Sequence, residues 1–181
     1  MRFFIALIAP LFSAFLTVFA AMPAAADLSR FNGTFVGNAE ITTENGEAEP
    51  RDLTTTIKAD GDSFELIWTS VTYRGDGRTK SVTYDIEFVP STRENIYQSA
   101  MKTNLFGKAT PLDPLLGEPF VWARFEGDTF SVFSLFINET GDYDMQEFHR
   151  TLVPDGLDLF FRRVHNGVPV REINALLVRQ D

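Results

Sequence analysis

From residue 33 onward, runs of β-branched and aromatic residues are closed by turn residues about every ten to twelve positions, a rhythm that belongs to strands. The closing residues are the strongest local signal. Gly75-Asp76-Gly77, Glu126-Gly127-Asp128, Gly141, Pro154-Asp155-Gly156 and Asn166-Gly167 each supply a residue that tolerates positive φ, which tight hairpins require. The pattern predicts strands over 34–42, 53–59, 63–73, 78–89, 95–102, 119–126, 129–137, 142–153, 157–165 and 168–179, with almost no helix. Strands joined by tight hairpins are antiparallel neighbours, and so long a meander must close on itself or leave pairing edges open. The expected fold is all-β: a single antiparallel meander barrel of about eight to ten strands, with a two-sheet sandwich as the alternative.

The N-terminus reads differently. Met1-Arg2 is followed by an apolar run from Phe3 to Phe19 and then by Ala24-Ala25-Ala26, the three parts of a secretory signal peptide with cleavage after Ala26. Domain organisation is therefore read as a signal peptide, 1–26, and one barrel domain, 27–181. Export and the absence of Cys, taken together, point to a periplasmic or secreted protein held by its apolar interior alone. The net charge of −9 sets a low expectation for nucleic acid or anionic membrane surfaces as partners. Stable insertion as an outer-membrane barrel is disfavoured as well, because charged residues fall on both faces of the last three strands.

Two segments interrupt the strand rhythm. Residues 43–52 are acidic and read as an exposed loop. Residues 103–119 form a long apolar connection in which Leu105, Phe106, Leu112, Leu115 and Leu116 suit either a flap over a barrel mouth or a plug in its end.

The barrel domain opens DLSRFNGTFVG. A short turn carrying Leu28 and Phe31, then Gly33-Thr34-Phe35 leading into the first strand, resembles the Gly-x-Trp opening of lipocalin-like (calycin-type) barrels, with Phe in place of Trp. The resemblance implies that this aromatic closes the bottom of the barrel under an arginine from the last strand, Arg171 or Arg179 here. It also implies an interior able to hold a small apolar molecule.

His149, one of only two histidines, lies in MQEFHRTL, and the turns offer a register for its surroundings. A three-residue turn with a bulged Gly156 places Val153 opposite Leu157, His149 opposite Phe161 and Glu147 opposite Arg163. A two-residue Asn166-Gly167 turn places His165 opposite Val168, Arg163 opposite Val170 and Phe161 opposite Glu172. Glu147, His149, Phe161, Arg163 and Glu172 then share one face. The other face carries Arg150, Arg162 and Arg171 with Phe148, Leu152, Phe160 and Ile173. Neither set is cleanly apolar, yet one must face inward unless a bulge exchanges them partway along.

A carboxylate-and-histidine lining, an arginine lining like that of fatty-acid-binding barrels, and simple charge pairs on the outer wall all remain open. Trp68 and Tyr84 join the candidate lining from a face that also holds Phe64, Leu66, Val82, Ile86, Phe88, Trp122, Phe130, Val132 and Phe136.

No catalytic residue, metal ligand set or cofactor is assigned. There is no Gly-x-Ser-x-Gly elbow and no His pair at metal spacing, and the turns ADGD and NETGDYD do not match a twelve-residue calcium loop. The expected function is non-catalytic binding of a small, mostly apolar or amphipathic molecule. An envelope interaction factor or inhibitor with a filled barrel and a protein partner is the alternative, and a barrel enzyme using His149 ranks third.

Overall fold

A computed structural model describes residues 27–42, 46, 48–99, 102–103, 109–110 and 112–180. The signal peptide expected over 1–26, Leu105 and Phe106 lie outside the described residues. The chain forms one closed antiparallel barrel. Its strands are β1 (Gly33–Thr42), β2 (Ala48–Asp60), β3 (Ser63–Tyr73), β4 (Thr79–Pro90), β5 (Ile96–Ser99), β8 (Phe120–Glu126), β9 (Thr129–Ile137), β10 (Tyr143–Val153), β11 (Gly156–His165) and β12 (Val168–Gln180). Two short strands, β6 (Lys102–Thr103) and β7 (Ala109–Thr110), form a separate ribbon, so β5 pairs directly with β8.

Each wall strand pairs with the next, and β1 closes the cylinder by pairing with both β2 and β12, with Phe35 opposite Arg179. Closure satisfies the edges that an open meander would expose. It also demands a close approach. A Cβ on Gly37 would stand 2.3 Å from the carbonyl oxygen of Leu176, so only glycine lets β1 lie this near β12.

Alternation places one residue in two against the interior. In β3 the inward side chains are Phe64, Leu66 and Trp68, and in β10 they are Gln146, Phe148, Arg150 and Leu152. The lower end of the barrel is solid. A 3₁₀ turn, η1 (Leu28–Phe31), is capped by the Asp27 carboxylate accepting from the Ser29 N–H at 3.1 Å, and it lays Leu28 and Phe31 across this end. Beneath it Phe31, Phe64, Phe88, Tyr97, Phe125 and Phe130 pack edge-to-face and stacked at centroid distances of 4.7 to 6.1 Å.

Of the two arginines proposed to cover the Gly-x-Phe aromatic, Arg179 does so. Its guanidinium lies 4.5 Å from the Phe35 ring centroid and donates to the carbonyl oxygens of Asn32 and Arg30. Arg179→Ala removes the ring contact and leaves two carbonyls to find water. It is expected to cost about 1–2 kcal/mol in urea unfolding, without loss of the β circular-dichroism signature.

Four expectations are corrected. First, the loop expected over 43–52 is shorter, because β2 already pairs at Ala48, opposite Thr42. Second, Trp122 is on the outer wall rather than with the apolar lining. Val121, Ala123 and Phe125 take the inward positions of β8, and Trp122 stacks on the neighbouring outer Phe133 at 5.1 Å.

Third, Val153 pairs with Gly156, not Leu157, so β11 is shifted by one residue and His149 faces Phe160. Gly156 sits in the ladder against β12, where an added Cβ would stand 2.0 Å from the Leu177 carbonyl oxygen. Fourth, the Asn166-Gly167 turn does pair His165 with Val168, but a bulge between Arg163 and Val164 then sets Arg163 opposite Arg171 and Phe161 opposite Ile173. Each one-residue shift moves side chains to the other side of the wall.

Candidate functional site

The two shifts regroup the candidate residues. Phe161 and Arg163 line the lumen, while Glu147, His149 and Glu172 are on the outer wall. Of the arginine set, Arg150 and Arg171 line the lumen and Arg162 is outside, paired with Glu172 at 2.9 Å. Trp68 and Tyr84 are both in the lining, stacked at 4.7 Å.

On the outside, Ser131 Oγ lies 2.9 Å from His149 Nδ1, and His149 Nε2 lies 3.5 Å from Glu147. The trio resembles a nucleophile, base and carboxylate in composition. Ser131 is buried, however, and it sits mid-strand between β8 and β10, where backbone N–H groups belong to the ladders rather than to a developing oxyanion. The arrangement suits a hydrogen-bonded wall contact, with His149 stacked on Phe160.

Inside, above the aromatic floor, are two hollows. One has a volume of about 330 Å³ and a lining that includes Arg51, Trp68, Phe148, Arg150, Phe161 and Arg171. The other, about 520 Å³, is lined by Ile86, Leu112, Pro119, Val121, Val132 and Phe136, and on one side by Asp85, Glu87, Ser99 and Ser134. Trp68, Tyr84, Gln146 and Phe148 border both, so the two hollows meet at one aromatic partition. The second hollow lies where the wall is thinnest: β4 runs from Thr79 to Pro90, but its ladder to β5 engages only Phe88, Val89 and Pro90. Of the apolar 103–119 connection, Leu112 reaches this hollow, whereas Leu115 and Leu116 face solvent.

Arg150 is the chemical centre of the lumen. It is 1 % exposed, and its Nε and Nη1 have no hydrogen-bond partner. No salt bridge to it occurs among the described residues. Instead three rings surround the guanidinium, those of Trp68, Phe130 and Phe148 at 5.5 to 5.8 Å. Burial lowers its pKa to about 10, so it remains charged at neutral pH. Ring faces attract a cation but accept none of its N–H groups in the plane of the guanidinium, so these two donors stay without a partner.

Arg163 is in the opposite condition. It donates Nε and Nη2 to the two oxygens of Asp144 at 2.9 and 3.0 Å, which raises the arginine and holds the Asp144 carboxyl below its usual range. A carboxylate whose folded pKa is depressed contributes stability that is complete above its unfolded value of about 3.9 and lost as pH falls through the folded one. Asp144→Asn should therefore cost up to about 1 kcal/mol at neutral pH, the pair being partly solvated. The gap to wild type should close as urea titrations move below about pH 3.9.

No protein-family model matches the chain. Nor does any curated protein match it significantly. Among the described residues no group of His, Cys, Asp and Glu is placed to hold a metal ion, and no helix is long and apolar enough to cross a membrane.

The sequence offers Arg150 as one arginine among three and puts Arg51 in a loop. For Arg150 the signal was present. At spacing two it is flanked by Phe148 and Leu152, whereas His149 is flanked by Glu147 and Thr151, so the apolar stripe of β10 runs through the arginine. Nothing local marks Arg51, whose place follows from the pairing of β2 with β1.

Proposed function

We propose that this barrel is a non-catalytic, exported carrier of the calycin type that binds a small amphipathic molecule bearing a carboxylate. The observation that carries the reading is Arg150: a fully buried cation in the lining of the 330 Å³ hollow, with two donors that have no partner. A buried charge without partners costs several kcal/mol unless a ligand or water supplies them. A carboxylate fits the guanidinium fork with two parallel charge-assisted hydrogen bonds.

The apolar remainder of the ligand has two places to go, past Phe161 and Ile173 toward the mouth or past the Trp68–Tyr84 partition into the larger hollow. Hollows of 330 and 520 Å³ lie at the size of small-ligand sites and favour this reading over a filled barrel acting only through its surface. The Arg179–Phe35 stack at the closed end supports the calycin kinship.

Native mass spectrometry of protein isolated from its own cell envelope is expected to find a bound carboxylic acid. Dodecanoate added to protein stripped of it should quench Trp68 fluorescence and, at a hundredfold its Kd, stabilise the fold by about 2.7 kcal/mol. A protein that arrives empty and responds to no carboxylic acid in either assay would overturn the proposal.

A further inference from the structure

Arg150 has company in the same hollow. Arg51 of β2, Lys80 of β4 and Arg171 of β12 line its outer end, beside the Arg163–Asp144 pair. Unlike Arg163, neither Arg51 nor Arg171 has an ion pair among the described residues. The Nε of Arg51 is buried without a hydrogen-bond partner. Its pKa is lowered by burial and then by the charge of Arg171, with Glu49 acting in the opposite sense. Two adjacent cations that disfavour each other are thus held at the mouth, in a chain whose net charge is −9.

The register fixes the spacing between the two backbone levels from two sides of the wall. On β11, Leu159 is opposite Arg150 and Arg163 is opposite Arg171, a separation of four residues or about 13 Å. On the facing side, the Arg150 guanidinium lies against Trp68, which pairs with Thr55, and Arg51 is again four residues along β2. One carboxylate bonded to the Arg150 fork cannot also neutralise the rim. Between the two levels the lining is mostly apolar, from Leu53, Val82, Phe148, Phe161 and Ile173, with Ser70 among them.

From this placement we infer that the ligand is a diacid: one carboxylate at Arg150, an apolar spacer along the lumen, and a second carboxylate between Arg51 and Arg171. The inference rests on the carrier reading above and narrows its ligand class. A monoacid satisfies the floor and leaves the rim cations facing each other. A diacid satisfies both.

The test is isothermal titration of the full chain with matched unbranched acids, from octanoate and octanedioate to hexadecanoate and hexadecanedioate. At the best length the diacid should bind at least about tenfold tighter than its monoacid, the gain of one further charge-assisted hydrogen-bonded pair. The triple variant Arg51→Met/Lys80→Met/Arg171→Met should bring the diacid down to the monoacid's affinity and leave the monoacid within about twofold of wild type. Arg150→Met should weaken both.

A diacid no tighter than its monoacid at every length overturns the inference while leaving the carrier reading intact. So does a rim variant that weakens both acids alike, since the rim then acts only as a general field. If neither series binds, the carrier reading itself falls. The wild-type comparison decides the matter even if a variant fails to fold.

Discussion

Replacing Arg150 with methionine should make the ligand-free protein more stable and at the same time abolish its binding of carboxylic acids. The unliganded guanidinium is desolvated with two donors unpaired, and burial brings its pKa down to about 10. At 1.36 kcal/mol per unit, that displacement corresponds to about 3 kcal/mol of destabilisation while the group is charged. Methionine fills a similar volume among Trp68, Phe130 and Phe148 without that cost, and loses cation–ring attraction of about 0.5–2 kcal/mol. The net expectation is a gain of about 1–3 kcal/mol in urea unfolding at pH 7.

The sign can be checked with pH. A base whose folded pKa is depressed destabilises below that value, and the penalty fades as pH rises above about 10 toward the ordinary arginine value. The variant's advantage should shrink across that window. A variant less stable than wild type at neutral pH would mean that the guanidinium is satisfied within the protein and is not waiting for a ligand.

The architecture was legible because it is written in short-range chemistry. Turn residues and period-two alternation are local, and they placed ten strands in the wall in their observed order. The site was not, because it depends on parity. Pro154-Asp155-Gly156 is compatible with loops that differ by one residue, and a difference of one exchanges inside for outside along all of β11. The shorter loop seats Gly156 in the ladder against β12, where a side chain would meet the Leu177 carbonyl, twenty-one residues further on.

The bulge after Arg163 has the same character. It turns Arg171 toward the lumen and leaves Glu172 beside Arg162 on the outer wall, and no feature of the Asn166-Gly167 turn announces it. The lining that results is a hybrid of the two faces the sequence offered. Arg150 and Arg171 come from one, and Phe161 and Arg163 from the other.

The complementary variant is Phe64→Ala, which should damage the fold and spare the site. Phe64 is 1 % exposed and packs on Phe88, Tyr97, Phe125 and Phe130 at 4.9 to 5.4 Å, at the centre of the floor. Removing a ring so enclosed forfeits its transfer energy and leaves a void that rigid aromatic neighbours refill poorly, a loss of about 3–5 kcal/mol.

Tyr84→Ala at the partition should behave in reverse. This ring is 50 % exposed, so its loss should cost under about 1 kcal/mol of stability, yet it borders both hollows and holds Trp68 by stacking. Acid binding measured well below the melting temperature should therefore stay within a few-fold of wild type in Phe64→Ala and weaken about tenfold in Tyr84→Ala. If the floor variant loses binding as steeply as the partition variant, floor and lumen are one cooperative unit, and the separation of a solid base from a hollow, ligand-ready upper barrel is wrong.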